Sequence, residues 1–197
     1  MTRTVKDPEE RRRELLACAM RLFAEKGYDN VSVRAVAREA GVASGLAYHY
    51  FDSKQALFNA AIGEYARQCA EQLCAVFDNR ALSLDEQLDS ALELGAGGGA
   101  FPYADFFHAD KHGALHERLS LGICEAVRPS LVAALERDAA ARGATAPDAE
   151  VLAGMLVYGS IGLASSEHEL DERAVQTVRR YVSALVEEFR SAGKKAN

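Results

Sequence analysis

Hydrophobic residues recur along this chain three and four residues apart, which is the spacing of an amphipathic helix. The first such stripe lies between Glu9 and Lys26, and Gly27 is placed to end that helix. Similar stripes follow through the rest of the sequence, and no segment sustains the period-two alternation of a half-buried strand. The pattern predicts an all-α fold of about nine helices.

Two short helices follow the first and are separated by a tight turn. Ser32 is a good N-cap for a helix that ends at Gly41, and Ser44 can cap a second helix of roughly two turns before Asp52. A first helix packed by small and β-branched residues, a glycine turn and a second helix make up a helix-turn-helix, whose second helix enters the major groove of DNA. We therefore expect this motif over residues 32–51.

Longer helices make up the rest of the chain. One is predicted from residue 52 to 78 and another from residue 84 to 94, where a glycine-rich run at 95–99 follows. That run comes after a helix and matches neither the Walker pattern nor GxGxxG, so we interpret it as a connector and not as a phosphate loop. Residues 102–142 are predicted to be helical, with Pro129 kinking or dividing the helix. Two last helices are predicted after Asp148 and Asp171.

The composition is that of a globular, intracellular protein. Of 197 residues, 49% are hydrophobic and 26% are charged, so the chain can bury a core. Its four cysteines form no CxxC pair, which argues against a disulfide scaffold or a zinc ribbon, and we expect free thiols. The start lacks the apolar core of a signal peptide, and the longest apolar stretch is shorter than the ~20 residues of a membrane span. We expect a cytoplasmic protein with no membrane partner.

Charge is distributed unevenly along the chain, whose net charge is −6. Residues 1–60 hold 10 Lys and Arg against 8 Asp and Glu, whereas residues 61–197 hold 13 against 21. The N-terminal part is therefore the one that suits a nucleic-acid partner.

A longer pattern extends around the two short helices. It comprises residues 27–42, Gly45, the run Tyr48-His49-Tyr50-Phe51 and the run Ser53-Lys54-Gln55-Ala56-Leu57. In spacing and residue type this pattern resembles the signature of TetR-type transcriptional regulators over roughly residues 9–60. The resemblance implies a DNA-binding domain over residues 1–52 and a helical effector-binding and dimerisation domain over residues 53–197. The chain departs from the pattern at Ala43, Leu46 and Ala47, where family members often carry Ser, Thr and Leu.

A recognition helix presents short side chains to base edges at its N-terminal end and anchors its flanks on phosphates. Arg34 is the long donor that can contact guanine in a bidentate way, and Leu46 can contact a thymine methyl. By the resemblance, Tyr48, His49 and Lys54 contact phosphates. Phe51 is assigned to the core, and Tyr50 stays open between phosphate contact and packing. The predicted DNA-binding residues are Ser32, Arg34, Ser44, Gly45, Leu46, Tyr48, His49, Tyr50 and Lys54.

The middle helices are expected to enclose a small-molecule site, although an ordinary filled core would use the same residue types. The residues predicted to line it are Tyr65, Cys69, Tyr103, Phe106, Phe107, His108, His112, His116, Leu119 and Ile123. The three histidines recur four residues apart and could share one helical face that holds zinc or nickel. Three polar residues on a helix face more often meet water, so we assign no metal and no cofactor.

The last two helices are predicted to pair two copies of the chain. Small residues allow close helix approach, and an apolar seam with spacings of three and four residues suits a four-helix bundle about a two-fold axis. The alternative is that this seam is internal core. The predicted interface residues are Leu152, Met155, Leu156, Gly159, Leu163, Val175, Val178, Val182, Leu185 and Phe189.

These expectations combine into one functional hypothesis. The chain is predicted to be a homodimeric, sequence-specific DNA-binding regulator, a repressor that a small-molecule effector of unknown identity releases from a palindromic operator. It is not expected to be an enzyme, because it has no GxSxG, HExxH or phosphate loop. The alternatives are a metal-dependent enzyme or metal sensor built on the histidine face, and a helical dimer that responds to no ligand.

Overall fold

The computed structural model describes residues 7–96, 103–107, 114–164 and 171–195. Every regular element within these ranges is a helix, which confirms the predicted all-α fold. The helices are α1 (Pro8–Lys26), α2 (Val33–Glu39), α3 (Ser44–Tyr50), α4 (Lys54–Asp78), α5 (Leu84–Ala96), α6 (Ala104–Phe107), α7 (Ala114–Ala141), α8 (Ala149–Ala164) and α9 (Glu172–Lys195).

Several of these helices begin at polar caps that the sequence supplies. Ser53 Oγ accepts a hydrogen bond from the backbone N–H of Ala56 over 3.0 Å at the start of α4. A capping box opens α5, because Ser83 N–H donates to Glu86 Oε2 over 2.8 Å while Glu86 N–H donates to Ser83 Oγ over 3.3 Å. Hydrogen bonds from the side chain and backbone of Ser83 lower the pKa of the Glu86 carboxyl.

The chain divides into two compact units. Unit 1 comprises Met1–Tyr65 with Pro102–Asp110, and unit 2 comprises Ala66–Phe101 with Lys111–Asn197. This division lies further along the chain than the boundary expected after residue 52, and unit 1 also includes a second segment. The reason is visible in α4, whose first turns bury Leu57 and Ala61 completely.

Unit 1 is built around α1, which packs against α2 and α6. Leu15, Leu16 and Phe23 of α1 are fully buried. The ring of Phe23 lies 4.9 Å from that of Phe58 on α4, edge to face, so aromatic contacts join the two helices.

Unit 2 is a helical bundle in which α7 packs along α8, with α5 and α9 against them. Leu131, Leu135 and Val186 are at its centre and almost wholly buried. Of the two alternatives for Pro129, kinking or dividing its helix, division is excluded, since α7 continues through it. Proline removes one backbone donor, but Leu131 and the other buried residues on either side pack in the same core and hold the helix together.

Candidate DNA-binding surface and ligand cavity

The helix α2 separates a buried face from an exposed one. Val33, Val36 and Ala37 are buried, whereas Ser32 and Arg34 are exposed. Ser32 Oγ accepts a hydrogen bond from the N–H of Ala35 over 3.1 Å, so Ser32 is the predicted N-cap. Arg34 therefore extends from the first turn of a helix that is fixed by its cap and by its apolar face.

The turn after α2 depends on a glycine. Gly41 has φ of +66°, a conformation that side-chain-bearing residues rarely adopt. Val42 N–H donates to the carbonyl of Ala37 over 2.9 Å, which closes the end of α2. The chain then enters α3 within two residues, and α2 and α3 pack against each other as the predicted helix-turn-helix.

The helix α3 presents most of its length to solvent. Ala47 is its one buried residue, and Phe51 at its C-terminal end is also buried, as predicted. Leu46 is 37% exposed and Tyr48 is 41% exposed. A Cβ added at Gly45 would meet no heavy atom within 4 Å, so no part of the chain that the structure describes covers this position.

One prediction about α3 is wrong. Ser44 was expected to cap this helix, but Ala43 occupies the N-cap position and Ser44 is the first helical residue. Ala43 has no side-chain acceptor, so α3 begins without a side-chain cap. The side chain of Ser44 is exposed.

Tyr50 and Lys54 are more engaged with the protein than the other predicted DNA-binding residues. Tyr50 is half-buried, with its ring 5.6 Å from that of His49 and 6.3 Å from that of Phe51. Lys54 Nζ donates to the carbonyl of Asp29 over 3.0 Å and lies 4.2 Å from the centre of the Tyr28 ring. An ammonium has three donors, so these contacts position Lys54 and leave it able to bind an anion.

Sequence reasoning missed two basic side chains that support this surface. The guanidinium of Arg12 lies 5.8 Å from the centre of the Phe51 ring, at the end of α3. Arg21 of α1 donates to Glu39 of α2 over 2.6 Å, and this hydrogen bond raises the pKa of Arg21. The run of three arginines at 11–13 could have indicated a basic surface that includes Arg12. Its contact with Phe51 depends on the fold and has no signal in the sequence.

The region that carries this surface matches a known family. Residues 15–61 match the family model described as "Bacterial regulatory proteins, tetR family". Over these residues, about a quarter of its length, the chain is similar to TetR-family regulatory proteins. An HTH-type transcriptional repressor from Mycobacterium tuberculosis is 40% identical over 72 residues, which are 36% of this chain and 36% of that protein. The repressor KstR2 from Rhodococcus jostii is 51% identical over 47 residues, 24% of this chain and 23% of the relative.

The likeness to these two relatives is partial, since the matched residues span about a third or less of their length. A solved structure extends the comparison to the whole fold. The TetR family repressor AlkX from Dietzia sp. superposes with a TM-score of 0.60 at 16% identity, covering 90% of this chain and 97% of the other. The fold of both units is therefore that of TetR-family regulators.

The residues predicted to line an effector pocket are packed or lie elsewhere. Tyr65 and Phe107 are buried in unit 1 with stacked rings 4.3 Å apart, and the ring of Phe106 is 5.0 Å from that of Phe107. These rings fill space, so the aromatic part of the predicted pocket is corrected to packed core. Tyr103 is half-buried, whereas Cys69, His116 and Leu119 are buried in unit 2 and Ile123 packs against its core. His108 and His112 lie outside the described residues.

A cavity of about 110 Å³ lies inside unit 2, between α4, α5, α7, α8 and α9. Of the predicted pocket residues that the structure describes, none lines it. Its walls instead include Leu88, Ala91 and Leu92 of α5, for which the sequence predicted a helix but no site. Five residues predicted for the dimer interface also line it: Leu156, Leu163, Val175, Val178 and Val182.

Burial divides the residues predicted for the dimer interface. Four are in the core of unit 2, namely Leu152, Leu156, Val182 and Phe189, while Val175 and Val178 are half-buried. The burial of these four favours the alternative that this part of the seam is internal core, whereas the half-buried Val175 and Val178 stay as predicted interface residues. Met155, Gly159, Leu163 and Leu185 are exposed, and so are the unpredicted Val151, Tyr158 and Tyr181. An exposed apolar face of α8 and α9 therefore remains. It contains four of the predicted interface residues and three residues that were not predicted.

Metal and membrane features can be assessed only where the structure describes the chain. There, no group of three or more His, Cys, Asp or Glu side chains could hold a metal ion. The predicted histidine face is not tested, since His116 is its only described member. None of the helices within the described ranges has both the length and the apolar character needed to cross a bilayer. All four cysteines are free thiols, as predicted.

Proposed function

We propose that this chain is a sequence-specific DNA-binding transcriptional regulator. The observation that carries the proposal is α3, which is anchored by Ala47 and Phe51 and turns Ser44, Leu46 and Tyr48 to solvent within the region similar to TetR-family regulatory proteins. In this arrangement α3 is the recognition helix, short side chains at its start meet base edges, and the hydroxyl of Tyr48 meets a phosphate. The relatives named as transcriptional repressors support repression as the outcome. Its place of action is the cytoplasm, where operator DNA lies.

The regulator acts as a homodimer in this proposal. One recognition helix contacts only a few base pairs, so useful affinity requires two half-sites and two helices about one DNA turn apart. The exposed apolar side chains of α8 and α9 support the pairing of two copies, because a water-exposed face of this kind marks an interaction site. A small molecule that binds one state of the dimer better than the other would then change its affinity for a palindromic operator.

Titration of the full-length chain against DNA fragments that flank its own gene tests the DNA-binding proposal. Fluorescence anisotropy at several salt concentrations should reveal one fragment bound more tightly than the rest, with affinity that falls as salt rises. Arg34→Ala should weaken this binding by about 10- to 100-fold if Arg34 contacts a base. Tyr48→Phe, which removes only a hydroxyl, should weaken it by about tenfold.

Arg128→Ala is the matched control, because Arg128 is an exposed arginine of unit 2 that pairs with Glu150. It should leave the affinity for DNA unchanged. Equal binding to every fragment, with no loss in the Arg34 and Tyr48 variants, would contradict the proposal.

A further inference from the structure

The walls of the cavity in unit 2 consist almost wholly of hydrocarbon. Leucine, valine, isoleucine, alanine and phenylalanine side chains supply them, and among the lining residues, all within the described ranges, Ser160 alone has a polar side chain. A volume of about 110 Å³ is several times the ~10–15 Å³ that one water molecule needs. A water inside would find few of the two to four polar partners that it requires, whereas apolar cavities accept apolar guests.

The charged groups beside the cavity form ion pairs with one another. Arg179 of α9 forms ion pairs with Asp89 of α5 over 2.7 Å and with Glu93 over 3.3 Å. Each of these three residues comes directly after a lining residue in the sequence, but none of them belongs to the lining. A charged group placed among the lining side chains would therefore lose its hydration without meeting a counter-ion, which is strongly unfavourable.

We propose that this cavity binds a small uncharged molecule that is mainly hydrocarbon, with the Ser160 hydroxyl as the polar group that it meets. The inference rests on the proposed function, since the bound molecule is then the effector of the regulator. It places the effector in unit 2 among α5, α7, α8 and α9, and not among the aromatic rings of unit 1.

A series of probes that differ in charge tests the proposal on the unaltered chain. The probes are phenol and 1-butanol, which are neutral at pH 7 and small enough for this cavity, and butanoate and butylammonium, which match the chain length of butanol but carry a charge. Calorimetric titration and melting temperature are the readouts. The neutral probes should bind and raise the melting temperature, because a ligand of the folded state stabilises it. The two ions should bind at least about a hundredfold more weakly.

Two variants locate the binding. Ala91→Leu and Leu92→Phe each add atoms to the α5 wall of the cavity and should remove most of the binding of both neutral probes. Ala140→Leu adds the same side chain as Ala91→Leu at an exposed position of α7 and should leave the binding unchanged. Circular dichroism shows whether each variant folds. If one blocking variant does not fold, the binding measured with the other one tests the proposal.

The outcomes separate this inference from the proposed function. Failure of both neutral probes to bind, comparable binding of the ions, or full binding in a folded blocking variant would overturn the cavity as a site for neutral molecules. Probe binding that leaves DNA affinity unchanged would overturn the effector role alone. Failure of the proposed function appears in a different measurement, as the absence of sequence-specific DNA binding without any probe.

Discussion

Arg190 of α9 holds the carboxylate of Asp138 of α7 by two parallel hydrogen bonds. Its Nε donates to Oδ2 over 3.1 Å and its Nη2 donates to Oδ1 over 3.0 Å. The same guanidinium donates to both carboxylate oxygens of Asp85, so one side chain joins α5, α7 and α9. Burial alone would lower the pKa of Arg190, but the hydrogen bonds to Asp138, Asp85 and Glu187 together raise it above its ordinary value.

Asp138→Ala should lower the free energy of unfolding by about 3 kcal/mol, because it removes the most buried partner of a buried arginine. Urea denaturation followed by circular dichroism measures this loss. Glu187→Ala is the control, since Glu187 pairs with the same arginine but its side chain is 67% exposed. It should cost less than about 1 kcal/mol. Equal losses of unfolding free energy in both variants would contradict the prediction that burial makes the pair with Asp138 the more important one.

Two serines of the helix-turn-helix should have opposite roles. Ser32→Ala should lower stability by about 1 kcal/mol, because it removes the acceptor that caps α2. Ser44→Ala should leave stability unchanged, since Ala43 and not Ser44 occupies the cap position of α3, but it should weaken operator binding. Urea denaturation and DNA titration of both variants check the pair. A stability loss in Ser44→Ala as large as that in Ser32→Ala would contradict the cap assignment.

The exposed face of α8 and α9 should determine the oligomeric state. Met155→Glu and Leu185→Glu should weaken dimerisation by at least about a hundredfold, because each places a carboxylate in an apolar contact. Sedimentation velocity over a range of protein concentrations measures the effect. Leu121→Glu is the matched control, as Leu121 is 50% exposed on α7, a helix that the proposed interface does not include. Dimers of unchanged stability in both test variants would exclude α8 and α9 as the interface.

The cysteines should differ in reactivity. Burial raises the pKa of the Cys124 thiol to about 11, so at pH 8 this thiol is protonated and also inaccessible. Cys18 and Cys74 are partly exposed. Iodoacetamide at pH 8, followed by mass spectrometry of peptides, should therefore label Cys18 and Cys74 well before Cys124. Labelling in urea, where all four cysteines should react alike, is the control.

The sequence was sufficient for the elements whose signals are local. The stripe of α1, the cap at Ser32, the turn at Gly41 and the start of α9 after Asp171 each depend on residues close together in the chain. The start of α9 is an example, since Asp171 Oδ1 accepts a hydrogen bond from Ala174 N–H over 2.7 Å. The sequence left open whether Pro129 kinks or divides its helix, because a proline's effect depends on tertiary packing, and α7 is held by the core on both sides of it.

The two functional sites differ in how far the sequence could locate them. The proposed DNA-binding residues lie within one short motif, so a local pattern was enough to predict them, although only the structure reveals that Lys54 is held by Asp29. The cavity combines residues from five helices. Apolar periodicity marks Val178 or Val182 as buried, but it does not distinguish a residue beside a void from one that contacts another side chain or a second copy.

The cavity and the exposed apolar face are built on the same two helices, and Leu163 belongs to both. Leu156 and Val182 line the cavity, while Met155 and Tyr181, their neighbours in sequence, are exposed. A guest that moves α8 or α9 would therefore alter the surface on which a second copy packs, and the coupling free energy must be equal in both directions. The apparent affinity for the guest would then vary with protein concentration, so titrations of dilute and concentrated samples would give different dissociation constants.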